Sequence, residues 1–407
     1  MTPPPSSYLD SNQCAILALW YEVNASLSAY HKLLSAFGGA QQAWEAGFEA
    51  WQALGIHAAH LARHKNKEQT SASIDRIEQA LTAGQYQLIF ADQSEFPAQL
   101  LQIYDPPPLL FCRGNINRLQ QAQIAIVGSR KPTAHAQKTT FDIAQYLAQT
   151  GYVVTSGLAM GVDKQAHLGA LAQTDSDYQG RTVGVMGTGI EVFYPNHHDK
   201  LFSQITEQGG CIISELLPHT QPHKHTFPRR NRLVAGLSLA TIVTEATIKS
   251  GSLITARLTS EQGKQVFALP SHIDNKNAEG CHHLIREGAT LIYHPDQVIS
   301  DVNVQLDFST NQSSLTAPSK PSTSRRSSPQ SAADKTSSTH SMPAHTSSPI
   351  KVPEHLSSIY GLLDWHGQDL DALLIASKLT APQLISQLME LELLGAIDVQ
   401  GGRYLRL

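Results

Sequence analysis

The alternation of apolar and polar positions is clearest between Gln123 and about Tyr293. Here short continuous apolar runs, rich in β-branched residues, alternate with longer segments that are compatible with helices. Such runs are typical of parallel strands buried on both faces, so the pattern predicts an open, doubly wound α/β sheet. Ligands of such sheets bind beyond the carboxyl ends of the strands. The predicted strands are IAIVG, YVVTSG, TVGVMG, CIISEL, ATIVTEA, QVFALP and TLIY.

The chain divides into segments of different character. Residues 1–9 are predicted to be a flexible N-terminus, and residues 10–83 carry apolar positions at helical spacing, which predicts a helical domain. Residues 84–308 form the α/β domain, which opens with the strand-like GQYQLIFAD and the turn-forming prolines of YDPPPLLFCRG. Residues 309–350 are dominated by Ser, Thr and Pro, which predicts a disordered linker. Residues 351–407 are globular again.

This last segment predicts three helices, HLSSIYGLLDW, DLDALLIAS and PQLISQLMELELLG, and a hairpin across Gly401 and Gly402. That order is the outline of a winged helix-turn-helix. From Pro353 to Leu407, however, there are seven acidic and three basic residues, and the predicted recognition helix has no Lys or Arg. Phosphates would repel such a helix, so we favour a protein-contact or regulatory role over the reading of duplex DNA.

Composition narrows the class of protein. The 407 residues suggest about two or three domains, and the formal net charge is -4. No apolar run approaches the length of a membrane span, and MTPPPSSYLD lacks the features of a secretory signal, so we expect a cytoplasmic protein without a membrane partner. The four cysteines include no C-x-x-C pair, which argues against a disulfide framework or structural zinc. We expect no metal site, because the histidines are not at zincin spacing. We also expect no cofactor.

The stretch from Leu216 to Thr244, LLPHTQPHKHTFPRRNRLVAGLSLATIVT, contains no Asp or Glu. It concentrates basic residues around an aromatic one in a chain that is acidic overall. This combination indicates a place where an anion is held, one with a stackable ring attached. The alternative is a solvated basic loop before a helix. The residues concerned are Lys224, Phe227, Arg229, Arg230 and Arg232.

A second candidate for anion binding is the turn after IAIVG. Gly128 allows a sharp turn, and the amides from Ser129 onward stand at a helix N-terminus, where they can bind an anion. Arg130 and Lys131 add positive charge at the same place. The turn is not a P-loop, since G-x-x-x-x-G-K-[ST] is absent. The alternative is a capped turn in which Thr133 is the N-cap.

Further turns follow the next strands. Gly157 ends YVVTSG, and Asp163 and His167 lie on one face of the helix that follows. Asp163 is expected to cap that helix, and a general-base role for the pair stays open. Gly187 belongs to a G-x-x-G-x-G pattern, which is a weak signal. A glycine-hydroxyl turn before a later helix consists of Lys249, Ser250 and Gly251. An extended polyanion would use all of these turns, whereas a mononucleotide enzyme would use one or two.

Taken together, these motifs resemble the DNA-processing protein A family, also called DprA or Smf. The motifs are VGSR at 127–130, SGLAMGVDKQAH at 156–167, FPRRNRLVAGLS at 227–238, SGSLITARL at 250–258, GCHHLIREGA at 280–289 and FPAQLLQIYDPPPLLFCRG at 96–114. The resemblance covers nearly the whole chain. It implies a helical N-terminal domain like a sterile alpha motif, an extended Rossmann-like domain with a mostly parallel sheet, and a C-terminal winged helix.

The resemblance also implies a function. A member of this family would bind and protect single-stranded DNA without sequence specificity and would help load the recombinase RecA during natural transformation. It would act as a homodimer and not as an enzyme. By motif, the resemblance places Arg130 at a phosphate and assigns DNA binding to Lys224, Phe227, Arg229 and Arg230, with Asn231 and Arg232 completing the motif. Together with the turns described above, the predicted DNA-binding residues are Ser129, Arg130, Lys131, Lys224, Phe227, Arg229, Arg230, Asn231, Arg232, Lys249, Ser250 and Gly251, with anion turns formed by the backbone of Gly128, Gly157 and Gly187. Phe227 is expected near a base, and Asn231 and Arg232 either bind DNA or are structural.

Two departures from the family pattern affect turns. His135-Ala136 stands where the family often has Tyr-Gly, and Pro270-Ser271 stands where it has Pro-Gly.

The alternative function is that of a Rossmann-like phosphoribohydrolase acting on nucleoside monophosphates. Those enzymes carry P-G-G-x-G-T-x-x-E, and KSGSLITAR lacks both the second glycine and the catalytic glutamate. A passive dinucleotide-binding scaffold would need the ordered glycine fingerprint and an acid for the ribose, and both are missing.

Overall fold

The computed structural model describes residues 8–173, 180–303, 353–363, 368–377, 379–394, 396–400 and 403–406. Contacts divide the chain into two compact units, Met1–Ser319 and Lys320–Leu407. The whole predicted linker, 309–350, and most of the predicted flexible N-terminus lie outside the described residues. The domain boundaries stay predictions.

The first unit begins with six helices between residues 8 and 83, as the helical spacing predicts. They are α1 (Ser11–Glu22), α2 (Leu27–Phe37), α3 (Ala40–Glu45), α4 (Phe48–Ala53), α5 (Ala58–Lys65) and α6 (Lys67–Thr82). Asp10 and Gln13 form a capping box that starts α1, and Gly38, with φ 82°, ends α2 in the left-handed conformation. Trp20 is fully buried in one cluster with Phe111 of the following sheet, so these helices share a core with that sheet.

Nine strands form one mixed sheet in the order β1-β2-β6-β5-β4-β3-β7-β8-β9. They are β1 (Gln87–Phe90), β2 (Leu109–Gly114), β3 (Gln123–Val127), β4 (Val153–Gly157), β5 (Thr182–Val185), β6 (Cys211–Ser214), β7 (Ala240–Val243), β8 (Gln265–Ala268) and β9 (Thr290–Leu291). The seven neighbouring strands β6-β5-β4-β3-β7-β8-β9 pair in parallel. Strand β2 pairs antiparallel with both β1 and β6. The prediction of a mostly parallel sheet is confirmed. Because β3 lies between β4 and β7, its carboxyl end is the topological switch point.

Helices cover both faces of this sheet. They are α7 (Ala134–Gln149), α8 (Val162–Leu171), α9 (Asp199–Glu207), α10 (Thr226–Leu237), α11 (Ser252–Glu261), α12 (Glu279–Arg286) and α13 (295–303), with 3-10 helices at Ala98–Gln102, Ile116–Gln120, Asn196–His198 and Lys276–Ala278. Val127 of β3 packs in one cluster with Leu233 of α10, and its neighbour Ile126 packs in another with Ile143 of α7. Successive strand residues face opposite sides, so β3 is buried on both faces and the doubly wound arrangement is confirmed.

In its described residues, the second unit contains three helices and a small antiparallel sheet. Its elements are a 3-10 helix at Glu354–Leu356, α14 (Ser357–Leu362), β10 (Gln368–Asp369), α15 (Leu370–Ser377), α16 (Ala381–Leu393), β11 (Ile397–Gln400) and β12 (Arg403–Arg406). The strand order is β10-β12-β11, and Gln400 pairs with Arg403, while the predicted turn at 401–402 lies outside the described residues. The core of the unit is built on Ile359, Leu373 and Leu388. The predicted winged-helix outline is confirmed.

Candidate nucleic-acid interface

The turn after β3 is fixed by backbone contacts. A Cβ at Gly128 would lie 2.7 Å from Val162 Cγ2 and 2.8 Å from Glu245 O, so only glycine fits without a shift. The Ser129 N–H donates to Glu245 O (2.6 Å), and Ser129 O accepts from the Val162 N–H (3.0 Å). These contacts join the ends of β3 and β7 to the start of α8. The next residue, Arg130, is exposed at the switch point of the sheet.

Glu245 is a residue that sequence reasoning missed. It is buried directly after β7, and its carboxylate accepts both the Thr133 N–H (3.0 Å) and the Thr133 hydroxyl (2.8 Å). Thr133 in turn caps α7 by accepting the Ala136 N–H (3.2 Å), which confirms the capped turn. The Lys131 N–H donates to Ser129 Oγ (3.1 Å). The amides of Ser129, Lys131 and Thr133 therefore donate within the protein, and the turn offers the exposed side chains of Arg130 and Lys131 to an anion.

Most of the basic residues of the acid-free stretch lie on a helix and not in a loop. Helix α10 begins at Thr226, so Phe227 and the three arginines lie on the helix, and only Lys224 remains in the exposed loop before it. Pro228 is compatible with this start because the first helical N–H groups have no partner within the helix. Residues three apart share a helix face. Phe227 and Arg230 therefore point to one side of α10, and Arg229 and Arg232 to another.

Phe227 and Arg230 meet Arg130 in one pocket, here called the Arg130 pocket. Its lining consists of Arg130, Leu158, Ala159, Met160, Val185, Gly187, Tyr194, Pro195, Phe227 and Arg230. The Phe227 and Tyr194 rings lie 5.5 Å apart at 46°. A Cβ at Gly187 would lie 2.6 Å from the Phe227 ring, so this glycine lets the ring rest on the backbone. The volume of about 70 Å³ suits a group such as a phosphate rather than a whole nucleotide.

Arg230 is a buried cation that has few partners. It is 7% exposed, its Nη1 donates to Val185 O (2.6 Å), and its Nε has no hydrogen-bond partner in the described part of the chain. Burial lowers the pKa of Arg230, the nearby Asp163 carboxylate opposes that shift, and Arg130 adds to it. A Cβ at Gly157 would overlap the Arg230 guanidinium, which explains this glycine. Two guanidinium groups thus surround one buried carboxylate, and an anion in the pocket would balance the charge.

Arg229 and Arg232 share a different carboxylate. Arg229 Nε lies 3.0 Å from Glu215 Oε1, and Arg232 Nη2 contacts Glu215 Oε2. The Trp20 indole donates to Glu215 O (2.9 Å), so this cluster also ties the N-terminal helices to the end of β6. Of the two roles left open for Arg232, its contacts support the structural one, and DNA binding by Arg229 stays a prediction. Glu215 was missed, although it directly precedes the acid-free stretch.

The turn before α11 lies apart from the Arg130 pocket. Ser250 Oγ and Ser252 Oγ hydrogen-bond to each other (2.7 Å), and Asn231 donates to Gly251 O (3.3 Å). Lys249 is exposed there, and it does not line the pocket. Asn231 therefore holds α10 against this turn. DNA binding by Lys249, Ser250 and Gly251 stays a prediction.

An open hollow of about 350 Å³ adjoins the Arg130 pocket and shares Arg130 and Met160 with it. It adds the predicted Lys131 and also Lys164, which sequence reasoning missed. Lys164 lies in the SGLAMGVDKQAH motif, directly after Asp163. The hollow extends the cationic surface along the carboxyl edge of the sheet.

The predicted roles of Asp163 and His167 need correction. Gly161, with φ 83°, is the N-cap of α8, and Asp163 accepts the Ala159 N–H (3.3 Å) instead of capping the helix. His167 contacts Thr182 Oγ1 (2.7 Å) and Gly157 O (3.1 Å) with its two ring nitrogens. Burial lowers the pKa of His167 to about 4. Both groups are engaged inside the protein, which speaks against a general-base pair.

No group of three or more His, Cys, Asp or Glu among the described residues is placed to share a metal ion. No helix in the described ranges is long and apolar enough to cross a membrane.

The fold and the pocket define a class of protein: a Rossmann-like α/β protein with a cationic and aromatic site at the switch point of its sheet. Comparison with known families makes the assignment specific. The family model described as DNA recombination-mediator protein A matches residues 87–303, and the DprA winged helix domain matches residues 343–403. The chain belongs to this family, also called DprA or Smf.

Individual relatives agree with the assignment. The chain is 39% identical to Protein Smf of Escherichia coli over 223 residues, or 55% of this chain and 58% of that protein. It is 41% identical to the DNA processing protein DprA of Streptococcus pneumoniae over 206 residues, or 51% and 71%. It thus spans a little over half of the E. coli relative. The X-ray structure of DprA from Streptococcus pneumoniae superposes with a TM-score of 0.60 at 31% identity, covering 70% of this chain and 97% of that one.

Proposed function

We propose that this protein binds and protects single-stranded DNA without sequence specificity, with the Arg130 pocket as the central contact. The observation that carries the proposal is the meeting of Arg130 and Arg230 with the rings of Phe227 and Tyr194. Guanidinium groups bind phosphate, and aromatic rings stack on unpaired bases. Neither contact depends on the hydrogen-bonding edge of a base, so binding should be indifferent to sequence.

The surroundings of the pocket support an extended ligand. The adjoining hollow carries Lys131 and Lys164, and Lys224 is exposed before α10. A single nucleotide would leave these cations unused, whereas a strand would pass several of them. Each phosphate that meets a cation releases counterions, so binding should weaken as salt increases.

Family membership supports the remaining parts of the proposal. The protein would help load the recombinase RecA onto the bound strand during natural transformation, and it would do so in the cytoplasm as a homodimer. These statements rest on the resemblance to the DNA recombination-mediator protein A family. The winged helix would contact protein more than duplex DNA, because its segment has more acidic than basic residues and Glu390 of α16 pairs with His355 (3.0 Å).

We assign binding rather than catalysis to the pocket. Its nearest carboxylate, Asp163, is 8% exposed and lies beside Arg230, so it is not presented to a substrate. The alternative, hydrolysis of nucleoside monophosphates, needs a glutamate near the turn before α11. The structure has Ser250 and Ser252 there, hydrogen-bonded to each other.

The test is fluorescence anisotropy with labelled single- and double-stranded oligonucleotides over a range of salt concentrations. We expect preference for single strands, and a salt slope that falls by about 0.7 in Arg130→Ala, the value for one phosphate contact on a single strand. Arg257→Ala is the control, because Arg257 is 79% exposed and pairs with Glu261 of the same helix. Equal affinity for both kinds of DNA, or wild-type binding by Arg130→Ala, would contradict the proposal.

A further inference from the structure

A second and larger pocket lies on the other side of α10. It is called here the Arg229 pocket, and its volume is about 510 Å³. One wall comes from the N-terminal helices, with Tyr21, Arg63 and Arg76, and the other from the acid-free stretch, with His223 and Arg229. The volume lies in the range of pockets for small organic ligands, about 300–1,000 Å³, so it can take a whole nucleotide.

The charge of this pocket favours an anion. Three arginines line it, Arg63, Arg76 and Arg229, against one carboxylate, Glu191. That carboxylate is already engaged, because His219 Nδ1 lies 2.9 Å from its Oε2. Glu215 is shared between two arginines, so it does not neutralise both, and Arg229 Nη2 is buried without a hydrogen-bond partner in the described part of the chain. A phosphate in the pocket would add negative charge beside these three arginines.

The pocket also offers surfaces for a base. Arg63 donates to Tyr21 O (3.0 Å) and lies 5.3 Å from the centre of the Tyr21 ring, so both side chains are held in place at the wall. On the opposite wall, the exposed rings of His223 and His225 are stacked, 5.6 Å apart at 9°. Flat rings beside guanidinium groups are the combination that binds unpaired nucleotides.

The two pockets are lined by consecutive residues of α10. Arg229 lines one and Arg230 lines the other, on different sides of the first turn of the helix. The loop before α10, His223 to His225, is exposed, carries Lys224, and contributes its two histidines to the Arg229 pocket. The stretch from Leu216 to Thr244 contains no acidic residue, so it presents no carboxylate to a strand that reaches both pockets.

We propose that the Arg229 pocket is a second nucleotide subsite, in which the N-terminal helices hold nucleotides of the same single strand that occupies the Arg130 pocket. The inference rests on the proposed function. It gives the N-terminal helices a part in DNA binding and makes affinity depend on strand length. Short strands fill the Arg130 pocket alone, and longer strands reach Arg63 and Arg76.

The test compares oligothymidylates of about 5 and about 20 nucleotides, lengths that bracket the usual site sizes of single-strand binders. Arg76 is exposed on α6, so Arg76→Glu leaves the core intact. We expect Arg76→Glu to weaken binding of the long strand by about fivefold to tenfold, since a carboxylate replaces a cation at a phosphate, and to leave the short strand unchanged. Lys32→Glu is the control, with the same charge change at an exposed site of α2 outside the pocket.

Three outcomes would overturn the inference. Arg76→Glu could bind the long strand as the wild type does, or Lys32→Glu could weaken it equally, which would mean a general effect of charge. Alternatively, calorimetry could show thymidine monophosphate binding that Arg76→Glu abolishes while long-strand affinity is kept, which would mean a site for free nucleotide. Failure of the proposed function looks different, because the wild type itself would then show no preference for single strands.

Discussion

Gly157 ends β4 directly beneath Arg230, and its replacement by alanine tests whether the position of that guanidinium governs DNA binding. The added Cβ would overlap Arg230 Nη1 and crowd Asp163 Oδ2. The guanidinium is the end of a flexible side chain, whereas β4 is paired on both sides. We therefore expect the arginine to move out of the pocket while the strand stays in place.

The size of the effect follows from what the movement removes. Arg230 would lose its hydrogen bond to Val185 O (2.6 Å) and its proximity to Asp163. A hydrogen bond to a charged group contributes about 1.5–3 kcal/mol, and overpacking costs about 1–3 kcal/mol, of which part is relieved by the movement. We expect the free energy of unfolding to fall by about 2 kcal/mol and single-strand affinity to fall by about tenfold, the equivalent of about 1.4 kcal/mol.

The assay combines urea unfolding with anisotropy titrations of Gly157→Ala, Arg230→Ala and the double variant. If alanine acts by displacing Arg230, the double variant should bind DNA as Arg230→Ala does. Gly47→Ala is the control, because a Cβ at Gly47 would have nothing within 4 Å. Unchanged affinity in Gly157→Ala, or losses that add in the double variant, would show that alanine does not act by displacing Arg230.

Three further predictions concern buried groups. Burial lowers the pKa of His167 from 6.5 to about 4, so the unfolded chain binds more protons than the folded one between these pH values. The free energy of unfolding should therefore fall by up to about 3 kcal/mol as the pH drops from 6.5 to about 4. If a His167→Gln variant kept the same pH dependence of stability in urea titrations, His167 would be excluded as its cause. Glu245→Ala removes both hydrogen bonds to Thr133, so we expect the free energy of unfolding in urea to fall by about 1–3 kcal/mol and DNA binding to weaken. If anisotropy titrations gave the wild-type affinity, the Arg130 turn would not need this support. Glu215→Ala leaves Arg229 and Arg232 without their carboxylate, so thermal and urea unfolding should show a loss of about 3 kcal/mol, and an unchanged stability would contradict the structural role of the cluster.

The sheet was predictable because its signal is local. IAIVG and ATIVTEA have no polar alternation, and strands buried on both faces need none. In the structure these runs become β3 and β7, which pair in parallel with Ile124 opposite Ala240. The convergence of Arg130 with the acid-free stretch also followed from general rules, since both come after strand ends at one edge of the sheet.

The division of the basic residues between two faces of α10 was not predictable in this way. The residues from Phe227 to Arg232 resemble a loop because they combine proline with charge. In the structure these residues are helical, and their side chains find partners on other elements, such as Val185 O for Arg230 and Glu215 for Arg232. Only the helix start at Thr226 decides which arginines face the Arg130 pocket.

The carboxylates that support the site were missed for a related reason. The Glu245 carboxylate accepts from Thr133, 112 residues away in the sequence, and the backbone carbonyl of Glu215 accepts from Trp20 across 195 residues. No local pattern connects such pairs. A carboxylate directly after a buried strand was a visible signal at both positions, but it does not indicate which turn or helix the carboxylate holds.

We propose that the Arg130 pocket holds a phosphate of single-stranded DNA beside its guanidinium groups, with an unpaired base near the rings of Phe227 and Tyr194. The test is photocrosslinking of the 407-residue chain to single-stranded DNA that carries 5-iododeoxyuridine, followed by peptide mass spectrometry. We expect crosslinks at Phe227 or Tyr194, which line the pocket, and their loss in Arg130→Ala. Crosslinks confined to the second unit, Lys320–Leu407, would contradict it.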